Sequence, residues 1–142
     1  RQKKRMAQKI TAVFNGDIAG RTFSVLGLSF KPKTNDMREA PSIQIINDLL
    51  SAGAKIKAYD PAAIEEAKKI FGGSIIYCDS AEEAAKGSSA IVLVTEWDEF
   101  RSINFAEMGK LMEEKVIFDG RNIYEPELVK EEGFKYYGVG RR

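Results

Sequence analysis

Short apolar runs and longer amphipathic runs take turns along this chain, and that alternation constrains the fold more than any other feature. Residues 22–28 (TFSVLGL) are apolar and rich in strand formers, the pattern of a buried strand. After a polar stretch at 29–40, Pro41-Ser42 opens a helix whose apolar Ile43, Ile46, Leu49 and Leu50 fit a 3.6-residue period and which Gly53 ends. The rhythm then repeats. A strand at 55–59 stops at Asp60-Pro61, a helix at 62–71 closes at Gly72-Gly73, and a short strand at 74–78 precedes an acidic helix at 80–86. Residues 90–95 (AIVLVT) are the most hydrophobic strand and so the expected centre of the sheet. A helix at 104–112, a strand at 116–119, a helix at 125–132 and a strand at 134–139 complete the series. Strands separated by helices pair in parallel through right-handed crossovers, with helices on both faces. The expected fold is therefore α/β, a Rossmann-like doubly wound, mostly parallel sheet of about six strands.

A helix precedes it. Met6, Ile10, Val13 and Phe14 recur on one helical face, ringed by Arg1, Lys3, Lys4, Arg5 and Lys9, and Asn15-Gly16 stops the run. No aromatic residue interleaves these charges, so the basic run reads as a solvated face or the tail of a linking helix rather than a nucleic-acid surface. The first residue is Arg and not Met, which makes a piece of a longer polypeptide the expected origin of the chain.

Composition narrows the chemistry. There is no histidine and one cysteine, Cys78, which excludes histidine general bases, Ser-His-Asp and Cys-His nucleophiles and the usual structural zinc sites. A net charge of +1 gives no overall field toward nucleic acid or membrane. The longest apolar run, 90–94, is too short to span a bilayer and no signal peptide opens the chain, so a soluble, cytoplasmic protein is expected.

In an open parallel sheet the ligand lies outside the carboxyl ends of the strands, where the strand order reverses. For the order 3-2-1-4-5-6, loops 29–40, 96–101 and 120–125 converge there. They carry Lys31, Lys33, Arg38, Trp97, Arg101 and Arg121, a cationic mouth suited to a nucleotide diphosphate. The helix opening at Pro41 is expected to add backbone N–H groups and a partial positive charge. Gly27-Leu28-Ser29-Phe30-Lys31-Pro32 is not G-x-G-x-x-G, and there is no Walker A loop, so side chains rather than a glycine cradle would meet the phosphates. Trp97 can cap the core or line the rim. Cys78 follows apolar Ile75, Ile76 and Tyr77 with no basic neighbour and reads as structural; Asp36 and Glu39, amid Lys33 and Arg38, read as loop ion pairs rather than general bases.

The segment GLSFKPKTNDMREAPS at 27–42 closely resembles the signature of the C-terminal, UDP-binding domain of the UDP-glucose 6-dehydrogenase family, within the wider nucleotide-sugar dehydrogenases. YDP at 59–61, AIVLVTEWDEF at 90–100, FDGRNIYEP at 118–126 and YYGVGR at 136–141 extend the resemblance over nearly the whole chain. It implies NAD-dependent oxidation of the C6 alcohol of UDP-glucose to UDP-glucuronate in two hydride-transfer steps, through a thioester on a cysteine. It further implies that Phe30 and Lys31 line the nucleotide-sugar pocket, that Arg121 contacts the UDP moiety, and that Arg38 reaches the NAD of another domain. Trp97 and Lys33 would stand at the rim. The family's catalytic cysteine, Lys and Asn and its NAD fingerprint precede this chain, and Cys78 matches none of them. The resemblance thus assigns this chain no catalytic residue and no metal. Residues 1–20 would be the end of the inter-domain linking helix and 21–142 the UDP-binding domain, partnered by NAD-binding and central domains of one polypeptide in a homodimer or larger assembly. A dehydrogenase of UDP-N-acetyl sugars or GDP-mannose, or a free-standing nucleotide-binding module, remain the alternative readings.

Overall fold

Six parallel strands lie in the order β3-β2-β1-β4-β5-β6, as the alternation predicts. The computed structural model describes residues 2–139. In chain order the elements are α1 (Gln2–Val13), β1 (Thr22–Leu26), α2 (Pro41–Ser51), β2 (Lys55–Tyr59), α3 (Ile64–Phe71), β3 (Ile76–Tyr77), α4 (Ala81–Ala85), β4 (Ala90–Leu93), α5 (Asp98–Arg101), α6 (Phe105–Leu111), β5 (Val116–Asp119), α7 (Pro126–Glu131) and β6 (Lys135–Gly138). The side chains of Arg1, Lys3, Lys4 and Arg5 and the Gly140-Arg141 end of the last motif lie outside the described residues. Among those described, no helix is long and apolar enough to cross a membrane.

All four residues of β4 are buried, because helices cover both faces of the sheet. Successive side chains divide between two cores. Val92 joins Phe14, Phe23, Ile46, Leu49, Ile56 and Phe118 on one side, while Ile91 and Leu93 join Phe100, Met108, Ile117 and Phe134 on the other. Each such side chain contributes about 1.5–3 kcal/mol by leaving water. The first helix belongs to this packing: Ile10 is fully buried and the Phe14 ring meets that of Phe23 edge-on at 5.6 Å. Lys9 Nζ donates to Gly138 O, tying α1 to the end of β6. Short helices start where side chains supply the missing partners: Ser80 accepts from the Glu83 N–H and Asn104 from the Glu107 N–H.

Local differences from the sequence reading have physical causes. Strands β1 and β4 end earlier than 28 and 95, because Gly27 turns the chain at φ 96° and the Val94 N–H already bonds Leu26 O. Residues 74–78 yield only a two-residue β3, since Gly72–Ser74 form a 3-10 turn. Residues 96–101, expected as a loop, include the single turn α5, which Phe100 pins by full burial; four residues are too few for a period to be read.

The register aligns the strand ends. Leu26 pairs with both Tyr59 and Leu93, Leu93 with Asp119, and Asp119 with Gly138. The segments that follow these residues therefore emerge along one edge of the sheet, with the order reversing between β1 and β4.

Candidate functional site

A buried carboxylate organises this edge. Asp60 is 2% exposed, and its Oδ2 accepts from the Leu28 N–H at 2.7 Å, the Ser29 N–H at 3.0 Å and the Trp97 indole Nε1 at 3.1 Å. Its Oδ1 accepts from the N–H groups of Ala62 and Ala63, both at 2.8 Å. Five donors compensate its desolvation. The start of loop 29–40 is held further by the Thr95 hydroxyl, which donates to Ser29 O at 2.7 Å, and by the Ser42 hydroxyl, which donates to Leu28 O at 2.7 Å. Gly27 is required beside it, since a Cβ there would sit 2.5 Å from the Thr95 nitrogen.

From this fixed base the loop carries Phe30, 53% exposed, and exposed Lys31 and Lys33. Trp97 is half-buried at the rim, its indole N–H shared between Asp60 and the Ser29 hydroxyl. It both caps the core and borders the mouth.

The loop after β5 is shaped by a second buried carboxylate. Asp119 Oδ1 accepts from the Arg121 N–H, and Oδ2 from the Tyr124 N–H at 2.9 Å and the Tyr136 hydroxyl at 2.8 Å. Burial pushes the Tyr124 phenol far above its ordinary range, with the Asp119 charge adding to the effect. Gly120 crosses β4 so closely that a Cβ would fall 2.6 Å from Leu93 O. Asn122, at φ 55°, clips β6 by donating to Val139 O at 2.8 Å and accepting from the Val139 N–H at 2.9 Å.

Between these loops, Arg121 pairs with Glu96. Nη2 donates to Oε2 at 3.2 Å and Nε lies 3.1 Å from Oε1. Loops 29–40, 96–101 and 120–125 are therefore joined by bonds, through Ser29, Thr95 and Trp97 on one side and Glu96 and Arg121 on the other.

The expected cationic mouth is revised in two respects. Each arginine has its own carboxylate: Arg121 has Glu96, Arg101 has Asp98 at 3.9 Å, and Arg38 has Asp36 at 2.8 Å. Among the described residues, Lys31 and Lys33 carry no ion pair. Arg38, 89% exposed, also lines an open groove with Glu66, Lys69 and Ile70 of α3, a groove to which Arg121 does not contribute. The side-chain and backbone N–H groups of Arg38 bond Asp36 and hold its carboxyl down at about 2, so Asp36 is an ion-pair partner and not a base. The start of α2 offers fewer donors than expected, since Pro41 has no N–H and that of Ile43 bonds Ala40 O.

Asp60, Asp119, Glu96 and Asn122 have no assigned role in the sequence reading, although YDP, TEW and FDGRN contain them. One signal was available: an Asp closing an apolar strand must find donors where it is buried. Burial and the adjacent Glu83 carboxylate raise the Cys78 thiol, in keeping with a structural residue. Among the described residues no group of three or more Cys, Asp or Glu side chains could hold a metal ion. The arrangement can bind an anion and stack a planar group.

Residues 24–126 match the model of the UDP-glucose/GDP-mannose dehydrogenase family, UDP binding domain. The chain is 45% identical over 127 residues to the UDP-glucose 6-dehydrogenase YwqF of Bacillus subtilis, a match covering 89% of this chain and 29% of that protein. Its fold is similar to that of a UDP-glucose dehydrogenase from the hyperthermophilic archaeon Pyrobaculum islandicum, with a TM-score of 0.81, 28% identity and coverage of 99% of this chain and 30% of the other. The NDP-N-acetyl-D-galactosaminuronic acid dehydrogenase of Methanosarcina mazei Go1 is similar at a TM-score of 0.82 and 26% identity, over 99% of this chain and 29% of the other. The chain spans less than a third of the length of each of these relatives.

Proposed function

The chain belongs to the UDP-glucose/GDP-mannose dehydrogenase family as its UDP binding domain, and from that premise we propose that it forms the nucleotide-sugar half of an NAD-dependent UDP-glucose 6-dehydrogenase. Arg121 binds a phosphate of UDP through its guanidinium fork, Lys31 adds a point charge, and Phe30 lines the pocket. Trp97 and Lys33 form its rim, and Arg38 reaches NAD held by the preceding domain. The observation that carries this reading is the bonding of the three loops around Ser29, Trp97 and the Glu96–Arg121 pair, within the segment that matches the family.

NAD does not fit this chain as a resident group. In a dinucleotide site the second glycine of the turn after β1 lets the backbone approach a pyrophosphate and the third lets the helix pack closely; here those positions are Ser29, whose side-chain hydroxyl donates to Lys31 O, and Pro32. When bound, NAD supplies the hydride acceptor for both oxidations. The residues of this chain bind and orient the substrate toward it. Residues 1–20 then end the linking helix and 21–142 form the binding domain, in a cytoplasmic homodimer or larger assembly of the longer polypeptide.

The test is NADH formation by the protein expressed from the complete reading frame, with UDP-glucose, UDP-N-acetyl sugars and GDP-mannose compared. UDP-glucose is expected to be preferred, with two NADH per sugar, and the 142-residue chain alone to produce none. Preference for another sugar replaces the substrate assignment, turnover by the chain alone contradicts the division of labour, and a reading frame encoding no further domain favours a free-standing module.

A further inference from the structure

The pairing of Arg121 with Glu96 has a consequence for any anion that binds there. Glu96 is flanked by two anchored residues: Thr95, whose hydroxyl bonds Ser29 O, and Trp97, whose indole bonds Asp60. Arg121 is fixed as firmly, with its own N–H on Asp119 and that of Gly120 on Leu93 O. The two side chains thus project from rigid loops, and Glu96 is only 24% exposed. Its carboxylate takes the Nε–Nη2 side of the guanidinium fork, leaving the Nη1 group for another partner. A phosphate arriving at Nη1 comes within a few ångströms of a fixed negative charge.

Resting on the reading of Arg121 as a UDP ligand, we infer that Glu96 is an affinity-setting residue that acts as a built-in counter-anion. It orients the fork, and it lowers the affinity of Arg121 for any phosphoryl group by a similar factor, so that a nucleotide stays bound through its further contacts rather than through this charge alone. The other arginines of this edge do not share this arrangement: Arg38 and Arg101 pair with Asp36 and Asp98 of their own loops, two and three residues away in sequence. Among the described residues, only the Glu96–Arg121 ion pair joins two different loops of the mouth.

The two parts of this role oppose each other, and magnitudes decide between them. A like charge some 6 Å from a phosphate in water-like surroundings changes affinity by about threefold, and more where water is thinned. Loss of orientation in a fork still tethered to a rigid loop costs less. Removing the charge at position 96 should therefore tighten binding, the opposite of what a merely structural residue would do.

The experiment is calorimetric titration of the protein expressed from the complete reading frame with UDP and with inorganic pyrophosphate, for wild type, E96Q, E96A and R121A. In E96Q the Kd for both probes is expected to fall about threefold or more at about 0.05 M salt, and the difference to shrink toward 0.5 M, where screening is strong. E96A, which removes the same charge without leaving an amide, should move in the same direction and guards against a fault peculiar to Gln. In wild type, the NMR signal of Arg121 Nε should shift on adding UDP as the fork is shared. An unchanged or raised Kd in both Glu96 variants overturns the inference. If R121A leaves UDP affinity untouched, the reading of Arg121 as a ligand fails first; if R121A weakens UDP while neither Glu96 variant tightens it, the counter-anion role alone fails.

Discussion

The indole N–H of Trp97 ends on Asp60 Oδ2, 3.1 Å away, so a carboxylate buried at the end of β2 holds a residue at the rim of the mouth beyond β4. The same oxygen accepts the N–H groups of Leu28 and Ser29, on which Phe30 and Lys31 are built. One side chain thereby sets the relative position of two site loops.

Replacing Asp60 by Ala removes the acceptor of five N–H groups, those of Leu28, Ser29 and Ala63 in buried hydrogen bonds, and stability should fall by about 3 kcal/mol or more. D60N keeps one oxygen acceptor and should cost less. Both variants should alter the emission of Trp97, the single tryptophan, in the folded state. Denaturant melts followed by that fluorescence check both effects, and a D60A melt equal to wild type would show that water replaces the carboxylate without loss.

Gly27→Ala should cost about 3 kcal/mol or more, because it combines a backbone at φ 96° with a Cβ 2.5 Å from the Thr95 nitrogen. Gly120→Ala faces a Cβ 2.6 Å from Leu93 O without the unfavourable φ and should be milder. Thermal unfolding ranks the two, with Gly133→Ala as a control that has φ 91° but no contact under 3.4 Å.

The alternation of elements made the doubly wound parallel sheet legible in the sequence, since parallel strands joined by helices leave few topologies, while the strand order was a supposition that the structure bears out. Strands β2 and β5 lie where their apolar runs put them, at 55–59 and 116–119. Strand ends were less legible where a glycine or a crossing loop decides them: Leu28 is as apolar as Leu26, yet its N–H belongs to Asp60. The site shows the same division. Exposed Phe30, Lys31 and Arg121, proposed from loops and motifs, carry their chemistry in their side chains. Glu96, which pairs with Arg121 from another loop, and the bonds of Asp60 to Leu28, Ser29 and Trp97 are contacts between distant segments that no local pattern displays. The supposed cationic mouth comes from counting bases without their acids, of which Asp36 and Asp98 lie two and three residues away and only Glu96 is distant in sequence.

Asp36 is held at about 2, against an ordinary 3.8, chiefly by hydrogen bonds from the side chain and backbone of Arg38. A lowered folded-state value means that the stabilising contribution is present above about pH 4 and is lost as pH falls through about 2. In R38Q the Asp36 carboxyl should titrate closer to its ordinary value, as read by NMR. An unmoved titration would assign the effect to the backbone alone.

Cys78 is 2% exposed and its thiol is raised by burial, so a thiol reagent should label the native chain slowly, at a rate set by opening of the structure. Denaturant should accelerate labelling in step with unfolding. Rapid labelling under native conditions would place Cys78 in a locally open segment.

Arg121→Ala should weaken UDP binding by about 1.5–3 kcal/mol while changing stability little, because the Glu96 pair it breaks is partly exposed. Arg38→Ala should spare UDP and impair NAD use in the complete enzyme. Equal loss of both ligands in either variant would contradict the separation of Arg38 from Arg121.

Nucleotide recognition by this chain itself is tested most directly by titrating the 142-residue protein, its fold checked by circular dichroism, with UDP, ADP and GDP. Selective binding of UDP, weakened in R121A, is the expected result. A folded chain that binds UDP no better than ADP or GDP would contradict the proposal that these loops read the nucleotide.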